Sequence, residues 1–180
     1  MLNEQGKSFA FDHRGSGYGR GEGCAAVILR RLDDAVRCND PIRAVILGTG
    51  VNQDGKTPGI TRPDSEAQAS LAEAVLRKSG VHPRAIGYIE AHGTGTMAGD
   101  IAEMQSIAKV YCHERMDSVY VGSIKSNIGH LESVSGLAGL LKGVLVIEKG
   151  YIPPQAHLAH LKPELQVDDL NVKVRILRRP

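Results

Sequence analysis

The hydrophobic pattern of the chain repeats one unit twice: a short apolar run, a polar loop bearing a histidine, then a helical periodicity. The first unit predicts a strand over residues 86–89, the loop Glu90-Ala91-His92-Gly93-Thr94-Gly95-Thr96, and a helix over residues 100–111. The second predicts a strand over residues 119–122, the loop Ser123-Ile124-Lys125-Ser126-Asn127-Ile128-Gly129-His130, and a helix over residues 133–147. A strand–helix–strand succession implies parallel pairing with a right-handed crossover. Polar chemistry in such sheets collects beyond the carboxyl ends of the strands. Adjacent strands lie roughly 4.8 Å apart, so the pattern brings His92 and His130 within reach of one pocket.

The remaining elements are less regular. Residues 64–79 form the clearest amphipathic helix, with Ser65 and Gln68 at capping-box spacing and Gly80 as terminator. Ala67, Leu71, Ala74, Val75 and Lys78 make its stripe. In the helix after the first loop, Asp100 reads as the N-cap with Glu103 three residues on, and capping accounts for both carboxylates better than catalysis does. Ile101, Met104, Ala108 and Tyr111 form its buried stripe. The helix from Ser133 is apolar nearly all round, which suits the middle of a layered protein. Gly136, Gly139 and Gly143 on its adjoining turns permit close approach, and its positive dipole end follows His130.

Upstream, residues 24–32 read as a buried strand beginning at Cys24, residues 32–36 as a short helix, and residues 42–49 as a second strand. Residues 50–63 are a loop. Residues 1–23 are polar, with glycine at 15, 17, 19, 21 and 23. That spacing is not a dinucleotide fingerprint and suggests backbone passing close to a ligand or another chain. After Ile152-Pro153-Pro154, residues 155–170 read as a surface excursion and residues 170–177 as a half-buried strand.

Composition narrows the class. A chain of 180 residues can build one ordinary core. Net charge of +2 with 23% charged residues gives no footprint for nucleic acid or an anionic membrane. The basic cluster Arg175, Arg178 and Arg179 reads as a solvated tail. Three cysteines are too few and too scattered for a disulfide framework or a thiolate zinc site, and point to reduced thiols in the cytoplasm. Cys24 reads as a small core residue. No signal peptide is visible. The longest apolar run, residues 137–147, is broken by Lys142 and falls short of the ~20 residues a membrane span needs. With 4% aromatics and no Trp, the core must be aliphatic.

Two imidazoles, the ammonium of Lys125 and the hydroxyls of Thr94 and Thr96 suit the stabilisation of negative charge developing on oxygen. Asn127 lies between Lys125 and His130. No Gly-x-Ser-x-Gly elbow is present. No third metal ligand accompanies His92 and His130 at sensible spacing, and His157 and His160 read as a surface pair. His13, His82 and His113 read as ordinary surface or loop residues.

These loops, with Gly99-Asp100 and Leu131-Glu132 beside them, resemble the C-terminal half of the β-ketoacyl synthase domain of type I polyketide synthases. Gly17-Tyr18-Gly19-Arg20-Gly21-Glu22-Gly23, Gly50-Val51-Asn52-Gln53-Asp54-Gly55 and Thr57-Pro58-Gly59-Ile60-Thr61 carry the resemblance further, over about residues 9–154. The last two motifs look more like polyketide synthases than stand-alone bacterial fatty-acid enzymes, and the overall texture resembles fungal iterative reducing synthases. The resemblance implies an α/β thiolase-like fold of two similar halves, normally homodimeric. This chain would be the C-terminal half, a mixed sheet with a buried helix, incomplete at both ends. Residues 1–154 would form that half and residues 155–180 a partial extension.

The resemblance also implies the chemistry. The family decarboxylates malonyl groups carried on the phosphopantetheine of acyl carrier protein, and the enolate attacks an acyl thioester. His92 and His130 would stabilise the enolate, Lys125 would orient that pair, and Thr94 and Thr96 would hold the phosphopantetheine arm. No metal or directly bound cofactor is implied.

The chain departs from the family pattern at several points. It lacks the Asp-Thr-Ala-Cys-type nucleophile segment, and Cys24, Cys38 and Cys112 have the wrong surroundings. The closing Phe-Gly segment is missing, and Met97 and Ile101 stand where proline is frequent. Acyl transfer needs an activated thiol. The expectation is therefore a fragment, inactive alone, with an apolar face bared toward a missing N-terminal half. The alternative is a catalytically dead remnant or a pairing module that docks carrier protein or another ketosynthase chain. A thiolase-like degradative enzyme would want a second catalytic cysteine near the C-terminus.

Overall fold

Both histidine loops leave the same edge of one parallel sheet. In the computed structural model, which describes residues 1–59, 61–113, 115–167, 170 and 172–174, strand β1 (Tyr88–Glu90) pairs with β2 (Val119–Gly122), and β2 pairs with β3 (Val172–Val174). Both pairings are parallel, with Tyr88 opposite Tyr120 and Glu90 opposite Gly122. The expected neighbouring of the two loop-bearing strands is therefore found, and the expected mixed sheet is parallel throughout these strands. The first strand begins two residues late because Ile86 closes a 3-10 turn over Pro83–Ala85, and its carbonyl accepts from Arg115 Nη1 at 2.8 Å. The basic cluster at 175, 178 and 179, the end of the last predicted strand (175–177) and Ile60 lie outside the described residues.

The helices are α1 (Leu32–Arg37), α2 (Ser65–Ser79), α3 (Met97–Tyr111), α4 (Lys125–Ile128) and α5 (Ser135–Lys149). Asp64, not Ser65, caps α2: its carboxylate accepts from Glu66 N at 2.7 Å and Ala67 N at 3.1 Å. A carboxylate at the preceding position outcompetes the hydroxyl for these orphan donors. Gly80 ends the helix in the left-handed conformation, as expected. Helix α2 meets α3 through Ala69, Ala72 and Leu76 against Val110 and Tyr111. The expected stripe through Leu71 and Val75 faces Gly48 and Gly50 instead.

The core lies between α3 and the sheet. Met104, Ile107 and Ala108 pack with Val119, Val121, Val172 and Ala91. Two further segments, one from the polar N-terminal region and one from the expected surface excursion, complete it. Phe9, Ala10 and Phe11, from the nominally polar N-terminal region, are buried. Leu165 and Val167, from the expected surface excursion, are buried as well. The two phenylalanines of the whole chain sit in that one N-terminal run, so burying it contributes more apolar area than its polar surroundings suggest.

Two other expectations fail. Residues 24–31 and 41–51 form no strand among the described residues. A strand is defined by its ladder partner, and none is offered here: Ile28 is 98% exposed, and Cys24 is exposed rather than in the core. Helix α5, expected to be buried, exposes Leu140, Leu141, Leu145 and Ile147. With the segments at 26–30 and 40–48 it borders one open apolar trough.

Candidate active site

The first loop is held from below by two carboxylates on α3. Because the helix starts at Met97 with Thr96 as its N-cap, Asp100 lies inside it and caps nothing, contrary to expectation. Asp100 is fully buried and accepts from Gly95 N at 3.0 Å and Phe11 N at 2.8 Å. Glu103 accepts from His92 N at 2.5 Å and Gly93 N at 2.8 Å. Burial pushes both carboxyls up, Glu103 to about 7, against the pull of these amide hydrogen bonds. Gly95, at φ +81°, is required twice over: a Cβ there would lie 2.9 Å from the Phe9 backbone. Lys162, buried in the expected surface excursion, donates to Thr96 O at 3.4 Å and Gly15 O at 3.3 Å. Thr94 and Thr96 share a hydroxyl–hydroxyl hydrogen bond of 3.1 Å.

The second loop is held by backbone and by one amide side chain. Gly19 O accepts from His130 N at 2.7 Å, and Gly21 N donates to His130 O at 3.0 Å. A Cβ on Gly21 would lie 2.2 Å from Ile128 O. Gly17 N donates to Gly95 O at 3.1 Å. The alternating glycines thus pass close to the chain's own two loops. Gln155 bonds Ser123 N at 2.8 Å and O at 3.2 Å, and donates to Ser126 Oγ at 2.6 Å. Ser123 Oγ donates to His92 O at 3.3 Å, joining the loops directly.

The two histidines meet. Their ring centroids are 5.3 Å apart with planes at 85°, and the Tyr18 ring lies 5.0 Å from His130. His130 Nδ1 accepts from Glu132 N at 2.9 Å, so the neutral ring carries its proton on Nε2. Surrounding protein, then Lys125, then His130 hold the His92 imidazolium down to about 4. Burial and then Lys125 lower His130 as well. Lys125 is buried, and burial lowers it too, opposed by Glu103 and Glu90. Near neutral pH the arrangement is therefore two uncharged imidazoles beside one ammonium, a donor set suited to an oxyanion.

The other candidates lie apart from this pair. Asn127 is exposed. His157 and His160 contact the Phe9 and His13 rings at 6.0 and 5.5 Å. Among the described residues no group of three or more His, Cys, Asp or Glu is placed to hold a metal ion. Glu103 as a loop holder, Gln155, Lys162 and Tyr18 were missed by sequence reasoning. Only the Phe9–Phe11 run carried a signal, two large apolar residues in a polar stretch.

Residues 43–159 match the family described as "Beta-ketoacyl synthase, C-terminal domain", and residues 1–35 match "Beta-ketoacyl synthase, N-terminal domain". The chain belongs to the β-ketoacyl synthase family. Within it, the chain is 54% identical over 180 residues to a highly reducing polyketide synthase of Alternaria alternata. It is 56% identical over 176 residues to one of Sordaria araneosa. These alignments cover 100% and 97% of this chain but 6% of each relative.

Among solved structures, the ketosynthase from module 6 of the bacillaene synthase of Bacillus subtilis 168 superposes with a TM-score of 0.94 at 35% identity, over 100% of this chain and 32% of that one. An oxazolomycin ketosynthase domain from Streptomyces albus superposes with a TM-score of 0.93 at 34% identity, over 97% of this chain and 30% of that one. The fold is the thiolase-like ketosynthase fold, as the sequence resemblance implied.

Proposed function

We propose that this chain supplies the decarboxylating half of a ketosynthase active site in a polyketide synthase. In this reading malonyl carrier protein loses CO2, and the electron pair of the broken C–C bond passes to the thioester oxygen as an enolate. His92 and His130 donate N–H groups to that oxygen. The enolate carbon then attacks an acyl thioester, and its thiolate leaves. The acyl-accepting cysteine lies outside this chain: Cys112 is buried, and Cys24 and Cys38 lack the surroundings of the family's nucleophile segment. Lys125 orients the imidazole pair and, by repelling a second positive charge, keeps it neutral. Thr94 and Thr96 hold the phosphopantetheine arm of acyl carrier protein. The N-terminal half of the ketosynthase and a second copy are the other partners, in the cytoplasm.

The observation that carries this reading is the pair of neutral imidazoles 5.3 Å apart at the strand ends. A second reading, a non-catalytic remnant or pairing module, draws on the open apolar trough beside α5. Sequencing the native transcript upstream of Met1 separates the two. If it encodes an acyl-accepting cysteine segment, His92→Ala or His130→Ala in the full-length protein should lower malonyl decarboxylation by about 100-fold or more, the usual worth of an oxyanion donor. Wild-type rates in both variants would defeat the reading. A transcript confined to residues 1–180 would leave only the pairing module.

A further inference from the structure

We propose that Lys142 and Glu90 form a buried positioning pair that sets the loop carrying Lys125 and His130 against the loop carrying His92. The inference rests on the reading of these loops as the decarboxylating site. It starts from an anomaly in α5. That helix exposes several leucines, yet its buried residue is a lysine. Lys142 Nζ lies 2.7 Å from Glu90 Oε2, with the side chains 9% and 12% exposed. The ammonium also stands 5.5 Å over the Tyr88 ring, and the Tyr88 hydroxyl donates to the same carboxylate oxygen.

The other Glu90 oxygen accepts from Ile124 N at 2.6 Å. Glu90 thus ends β1 two residues before His92 and grips the amide one residue before Lys125. A single carboxylate touches both loops, and Lys142 keeps it aimed. The approach depends on Gly139, where a Cβ would already lie 3.2 Å from Glu90 Cγ. A buried ion pair is weak evidence for stability, because desolvation offsets its attraction. Its value here is geometric: one oxygen is committed to Lys142 and Tyr88, which leaves the other fixed on Ile124. Both side chains are nearly buried, so both act through Lys125 and the histidines.

The test uses the full-length synthase and reads CO2 release from malonyl carrier protein, with melting temperature as a control on folding. Lys142→Met should lower kcat by roughly 10- to 100-fold, the scale of a misplacement near 1 Å, and leave KM within twofold. A residue that merely supported the fold would shift melting instead. Glu90→Gln keeps the size and an acceptor for Ile124 but lowers the charge, and should lose kcat about fivefold or more. The double variant should be no worse than Lys142→Met, since the two act as one unit. A folded Lys142→Met variant with kcat within threefold of wild type overturns the proposal, as does a loss confined to KM. If Lys142→Met does not fold, Glu90→Gln decides alone, and wild-type kcat there overturns it. His130→Ala run alongside separates the two claims. If it retains decarboxylation, the reading of the site fails and this inference with it. If it loses decarboxylation while Lys142→Met does not, only this inference fails.

Discussion

The two strand–loop–helix units have the same local order and different means of support. In the first, the helix that follows the loop also holds it, because Asp100 and Glu103 reach back from α3 to four backbone amides. In the second, α5 gives its own loop no such carboxylates. Support comes from residues 19–21, from Gln155 and, across the sheet, from Glu90. The packing follows the same division. Helix α3 is buried against the sheet, while α5 turns Leu141, Leu145 and Ile147 to the open trough. One loop is held mainly by the helix that follows it. The other unit is assembled from distant segments and leaves an apolar surface free.

Breaking the supports should expose that difference. Asp100→Ala strips the acceptor from two buried amides and should destabilise by roughly 3–5 kcal/mol. Gln155→Ala, which frees partners in the second loop only, should cost about 2 kcal/mol. Urea denaturation of the two variants compares them directly, and an Asp100→Ala loss below that of Gln155→Ala would reverse the ranking of the two units.

The electrostatic coupling between the loops predicts a pH effect. Burial and then Lys125 lower both imidazoles, so in wild type both stay neutral to lower pH than a free imidazole, His92 to about 4. Protonation of His130 puts a proton on Nδ1, where Glu132 N already donates, and so disrupts the ring's hold. Lys125→Met removes the repulsion and raises both histidines. The acid limb of the decarboxylation profile should therefore move to higher pH. A limb that stays put, or moves down, would show that Lys125 does not govern the pair.

The smallest effect is expected on α5. Leu145 is half exposed, so in this chain by itself Leu145→Ser should change stability by no more than about 0.5 kcal/mol. It should also reduce self-association, measured by light scattering, because it interrupts an exposed apolar patch. A large loss of stability would mean that α5 is packed in solution.

Much of the first unit was legible because its signals are local. The apolar run before Glu90, the glycines around His92 and the period of Met104, Ala108 and Tyr111 each state a backbone preference or a buried side within a few residues. The same holds for the αL terminator Gly80 and the short helix at Leu32. The errors have a common physical source. Asp100 three residues before Glu103 looks like a cap, since capping and loop-holding use the same carboxylates, and only the position of Met97 in the helix distinguishes them. Residues 24–32 and 42–49 have the composition of strands, but composition supplies no hydrogen-bonding neighbour. Gln155 and Lys162 sit among prolines and histidines that read as surface, and nothing local signals that they will fold back 30 or more residues onto Ser123 and Thr96.

By itself the sequence determined the two repeated units, their parallel order, the residue types in each loop and the family they belong to. These depend on dihedral preference, hydrophobic period and motif, all of which are written over short spans. Only the tertiary structure decided which groups hold the loops, that the glycine run closes on the chain's own backbone, and that a lysine on an apolar helix meets Glu90. Those contacts join residues far apart in the chain, and their geometry exists only once the sheet has brought them within hydrogen-bond distance.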